Sequence, residues 1–138
     1  MNRQDAKDSK VEPSKGVDKL ARSVIGAAIE VHRHLGPSCL ESLYEEALSI
    51  ELDLRRIPFE RQKAVAVNYK GHGIGEGRVD LMVGDGLLVE LKAVEALAPI
   101  HKAQVMSYLK ATECHLGLLI NFNVPVLRGG IQRVVLSH

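Results

Sequence analysis

The amino-acid sequence predicts a single domain of the α/β class, with a mixed central sheet and elements in the order α-α-β-β-β-α-β-β. Three observations carry that prediction. Two segments of helical hydrophobic period come first, the period then switches to two, and a nearly unbroken apolar run at 116–122 follows a third helix. At 138 residues and 15.1 kDa the chain is one domain, large enough to bury a core without staples.

Residues 1–17 are polar, carry Pro13, Ser14 and Gly16, and show no period, so they are expected to form a disordered N-terminal tail. The domain is expected over 18–138. Leu20, Val24, Ala28, Val31 and Leu35 recur at helical spacing, and Gly36-Pro37 stops that helix. Ser38 has the character of an N-cap for a second helix, whose expected buried stripe is Leu40, Leu43, Ala47, Ile50 and Leu54. Val65, Val67 and Tyr69 then alternate with polar or small residues, as in a half-buried strand. After a turn at 70–73, a second strand is expected at 78–83. Gly84-Asp85-Gly86 is a hairpin signal, and a third strand is expected at 87–94. Pro99 opens a third helix through about Ala111. The run at 116–122 suits a central strand covered on both faces, and 131–136 forms a last strand.

Composition excludes several classes. Hydrophobic residues make up 46% and charged residues 25%, which suits a globular chain. With three Tyr, two Phe and no Trp, the core must be aliphatic. No apolar run approaches the ~20 residues of a membrane span, and no signal-peptide pattern opens the sequence. Cys39 and Cys114 are too few for a disulfide framework or a four-cysteine metal site, so a reduced, cytoplasmic setting is expected. The formal net charge of +1 does not suit a protein that coats DNA non-specifically, yet it is compatible with a local basic patch.

The chemistry concentrates in the central hairpin. Asp80 is a charge placed mid-strand, and Glu90 and Lys92 share one face of the next strand. With a three-residue loop at 84–86, Val83 pairs with Leu87 and Asp80 falls opposite Glu90, ~5 Å away at Cβ. Two carboxylates so close repel, and one must take up a proton unless a cation intervenes. Mg²⁺, a hard cation that favours carboxylate oxygens, resolves the conflict, and Mn²⁺ can substitute. The alternative is a structural ion pair in which Lys92 neutralises one carboxylate at the sheet surface. The apolar flanks argue against that alternative, because a buried charge cluster without function is costly.

Asp80, a short hairpin and Glu90-Leu91-Lys92 together resemble the D…(D/E)-x-K signature of the PD-(D/E)XK nuclease superfamily. The proline of the signature is replaced by Val79. In the third helix, Gln104 and Tyr108 lie four apart on one face and resemble the Q-x-x-x-Y motif of helicase-associated nucleases. The segments at 25–32, 35–37, 40–48, 89–94 and 118–122 resemble the GxxExxY proteins, a branch of that superfamily. Glu41 and Tyr44 match the motif that names this branch, while its first glycine is Ser38 here.

The resemblance implies a restriction-endonuclease-like core and a metal-dependent nuclease acting on DNA. It implies that Asp80, Glu90 and the Leu91 carbonyl hold the metal, with Glu41 as a further ligand. Lys92 would position or help deprotonate the attacking water. Gln104 and Tyr108 would orient Lys92 or contact the phosphate backbone. Glu41 has a second reading, because Ser38-x-x-Glu41 is also a capping box. A homodimer contacting two strands is compatible with so small a domain. The competing functional class is a non-catalytic nucleic-acid-binding or assembly module that keeps the fold; near-neutral charge and Ser38 support it.

Other candidates are weaker. The glycine-rich stretch at 71–77 joins two strands and opens no helix, which does not suit a phosphate cradle. The six histidines are scattered and offer no H-x-x-x-H pair. Cys39 is expected as a small buried residue, with no base placed to activate it. Arg55, Arg56, Arg61 and Lys63 are either phosphate contacts or a solvated rim.

Overall fold

The computed structural model describes residues 14–136, so the tail expected at 1–13 lies outside the described residues. The part of it at 15–17 does not hold as tail, for the first helix, α1, spans Lys15–Leu35. Its start is earlier than the hydrophobic period suggests because Ser14 caps it, its hydroxyl accepting the Val17 amide at 3.2 Å. Gly36, at φ +68°, ends it as expected and returns its amide to the His32 carbonyl.

The second helix, α2, spans Glu41–Leu54 and corrects two expectations. Its N-cap is Leu40, and no side chain caps it. Ser38 lies outside the helix at φ +82° and gives its amide to Asn123 Oδ1 at 3.1 Å, so the capping box does not form. The buried stripe is Tyr44, Leu48 and Leu52; Leu40, Leu43, Ile50 and Leu54 are exposed. Leucines lie on both sides of this helix, and Tyr44 decides which side docks. Its ring stacks on Phe122 at 4.4 Å, while its hydroxyl donates to the Gly36 carbonyl and accepts the Cys39 amide. Tyr44 therefore staples the α1–α2 connection to the core. Cys39 is only partly buried there.

Five strands follow the expected order: β1 (Phe59–Tyr69), β2 (His72–Val83), β3 (Leu87–Lys92), β4 (Leu116–Asn121) and β5 (Ile131–Val135). Helix α3 (Pro99–Thr112) connects β3 to β4, with Pro99 at its start as expected. The sheet runs β1-β2-β3-β4-β5; β3 and β4 are parallel, the other pairs antiparallel. This mixed sheet with helices on both faces fits the restriction-endonuclease-like fold expected. All six residues of β4 are buried, as a central strand requires. A 3-10 turn at Leu127–Gly130, which the sequence does not announce, leads into β5.

Helices α1 and α2 cover one sheet face over Leu81, Val83, Val89, Leu91, Leu118 and Phe122. Helix α3 covers the other, over Val65, Val79, Met82, Leu88, Leu119 and Val134. Among the described residues no helix is long and apolar enough to cross a membrane.

Strands β1 and β2 extend well beyond the core as a two-stranded arm, and they turn over on the way. In an unbroken strand Val79, Leu81 and Val83 share a face. Here Leu81 and Val83 pack with α1 and α2, but Val79 packs under α3. In β1, Phe59 packs on the α1–α2 side and Val65 on the α3 side. The reversal falls at Gln62 and Asp80.

Candidate active site

The β2–β3 register is the expected one, with Val83 opposite Leu87, Met82 opposite Leu88 and Leu81 opposite Val89. The next pair in phase is Asp80 and Glu90, and there the backbone ladder stops. Side chains take over in a reciprocal pair: the Asp80 amide donates to Glu90 Oε2 at 2.7 Å, and the Leu91 amide donates to Asp80 Oδ2 at 2.8 Å. The carboxylates are thus locked by backbone donors at the same row of the sheet.

Burial and charge then act on this pair. Glu90 is only 3% exposed. Loss of solvent, and then the neighbouring Asp80 charge, push its carboxyl up to about 7; the Asp80 amide and the Lys92 charge oppose this. The carboxyl of Glu41, at the start of α2, is also raised, first by partial burial and then by Asp80. Glu41 therefore lies within the same electrostatic field, free of any helix-capping bond to Ser38.

Lys92 makes no ion pair within 4 Å of Asp80 or Glu90 among the described residues, though its charge still acts to lower the Glu90 and Glu41 carboxyls. Its Nζ lies 3.5 Å from Gln104 Oε1, which brings the E-x-K strand and α3 together. Lys92 and Gln104 line an open cleft of about 460 Å³ with Ile100, His101 and Ser107. Tyr108, one turn beyond Gln104, makes no hydrogen bond to Lys92; its ring packs against the arm at Gly77.

The sequence reading missed Gln62 and Glu45. Gln62 Nε2 donates to Glu45 Oε1 at 2.8 Å and lies 3.3 Å from Asp80 Oδ1. Arg61 clamps the other oxygen of Glu45 at 3.1 Å and also reaches Glu46. A helical carboxylate at 45 and a strand amide at 62 carry no spacing signal that joins them. Three of the four basic residues at 55–63 are tied to carboxylates: Arg55 pairs with Glu51, Arg61 with Glu45 and Glu46, and Lys63 with Glu60.

Among the described residues no three Asp, Glu, His or Cys side chains gather into a ready metal cage. The donor set here is a carboxylate pair, Asp80 and Glu90, tied together by backbone amides. That fits Mg²⁺, which commonly takes one or two carboxylates and keeps several waters, better than it fits a closed zinc site.

The order of elements agrees with an independent comparison: the model of the PD-(D/E)XK nuclease superfamily matches residues 18–134. The chain belongs to that superfamily. No curated protein and no solved structure matches it.

Proposed function

We propose that the protein is a divalent-metal-dependent nuclease that hydrolyses phosphodiester bonds in DNA, and that it belongs to the GxxExxY branch of its superfamily. The observation that carries this reading is the locked Asp80–Glu90 pair, in which loss of solvent and the facing Asp80 charge push a buried carboxyl up to about 7. Glu41, Tyr44 and a left-handed residue 38, where the branch has glycine, support the branch assignment.

Asp80, Glu90 and the Leu91 carbonyl would hold Mg²⁺ or Mn²⁺, with Glu41 completing the shell. When bound, such a cation supplies a more acidic water and positive charge against the phosphate. In the overall reaction water adds to phosphorus, the bridging P–O bond breaks, and the departing oxygen takes a proton. Lys92 orients the attacking water and offsets charge that develops on the phosphate. Gln104 fixes the Lys92 ammonium from α3. Tyr108, whose ring packs against the arm at Gly77, would steady the arm or contact the phosphate backbone. Two copies contacting two strands is the assembly this reading favours.

Purified wild type and Glu90→Ala, incubated with linear, nicked, single-stranded and branched DNA in Mg²⁺ or Mn²⁺, test the reading. Cleavage by wild type alone, with both proteins folded, is expected. Cleavage retained in Glu90→Ala refutes the assignment; no cleavage by wild type on any substrate favours the binding module.

A further inference from the structure

Asp80 has neighbours on both sides in the sheet, and the ladder fails on both. Toward β1, the pairs Arg61–Leu81 and Lys63–Val79 are formed, but the pair between them, Gln62 with Asp80, is skipped. Gln62 stands at φ +51°, a left-handed conformation rare for a residue with a side chain and rarer within a strand. Its freed carbonyl is taken by Arg78 Nη1 at 2.8 Å. Its amide bridges Glu45 of α2 and Oδ1 of Asp80.

A non-glycine residue in this region is strained, and such strain persists only where the surroundings enforce it. Here Arg78 and Glu45 enforce it from opposite ends of the residue. The result is a row of three side chains, Gln62, Asp80 and Glu90, across three strands, each tied to the next by a side-chain bond where a backbone bond would otherwise stand.

We propose that Gln62 is the positioning residue of the metal site. Held by Glu45, it fixes the free oxygen of Asp80, so that the carboxylate is set before a cation arrives. The inference rests on the metal-site reading above. Outer-shell partners of this kind commonly contribute tenfold to a hundredfold in metal affinity.

The test is Mn²⁺ titration calorimetry on the full chain without DNA, beside melting in EDTA, for wild type, Gln62→Asn and Gln62→Gly. Asparagine tolerates the left-handed backbone but its amide is one methylene too short, while glycine frees the backbone and removes the amide. Both variants should bind Mn²⁺ at least about tenfold more weakly. Gln62→Asn should melt within about 3 °C of wild type, well inside the shift of a lost structural contact. Unchanged Mn²⁺ affinity in both variants overturns the proposal. Affinity lost only in step with the melting temperature also overturns it, since that marks a purely structural residue. If wild type binds no Mn²⁺, the metal-site reading itself fails and this inference falls with it.

Discussion

Gly77 and Tyr108 are in direct contact: a β-carbon on Gly77 would stand 2.9 Å from both Cε1 and the hydroxyl oxygen of Tyr108. No real side chain tolerates that approach, so the ring seats on the arm only because residue 77 has none. Gly77→Ala should destabilise the protein by about 1–3 kcal/mol in urea titration. In a Tyr108→Leu background the same change should cost at least about 1 kcal/mol less. Equal costs in both backgrounds would show that the contact is not what holds the arm.

The raised carboxyl of Glu90 sets a pH dependence with a definite sign. The ordinary glutamate value is 4.5, and Glu90 is raised to about 7. Between those limits the folded protein holds a proton that the unfolded chain has released. This contribution to stability is therefore fully present below about pH 4.5 and is lost as pH rises through 7, by up to about 3 kcal/mol. Melting in EDTA across pH 4.5–7.5 should show the decline in wild type and a flatter profile in Glu90→Gln. Mg²⁺ should oppose the decline, with a proton released on binding near pH 6–7.

Lys92 carries charge that the site does not pair with Asp80 or Glu90. Lys92→Met should lower the rate of DNA cleavage by about a hundredfold or more. Its Mn²⁺ affinity at pH 8 should stay equal to wild type or tighten, because a positive charge beside the site is removed. A parallel loss of metal affinity would make Lys92 a structural support for the carboxylates.

Ser38 sits at φ +82° with its backbone amide on Asn123. Glycine adopts that conformation without steric cost and keeps the amide bond. Ser38→Gly should raise stability by about 0.5–1 kcal/mol in urea titration, after allowing for the larger entropy of glycine in the unfolded chain. A loss of stability would place the worth of Ser38 in its hydroxyl.

The strands and the hairpin register were legible because their signals are local. Gly84 at φ +56° marks the turn, and the alternation around it leaves one register, which brings Asp80 and Glu90 to the same row. The docking face of α2 was not legible. Leu43, Ile50 and Leu54 lie on one side and Tyr44, Leu48 and Leu52 on the other, so hydrophobic period alone finds two stripes. Glu41 read as a cap because Ser38 stands three residues before it; tertiary contacts at Asn123 and Tyr44 move the helix start instead. Gln62 carried no signal, because left-handed backbone is ordinarily announced by glycine or asparagine. The chemistry of Asp80, Glu90 and Lys92 was visible as residue types in a spacing, while the scaffold that aims them was not.

The turnover of the β1–β2 arm at Gln62 and Asp80 also divides the longest ladder of the sheet into two cooperative units. Residues 63–79 hang together through their own pairing and through α3, whereas 59–61 and 81–83 are bonded into the main core. Opening of the outer unit would free the Gln62 carbonyl from Arg78, so the arm and the carboxylate row are linked through that bond. The amides of the outer unit should then exchange with solvent deuterium sooner than those of β3 and β4, leaving a protected hub around a breathing arm beside the cleft.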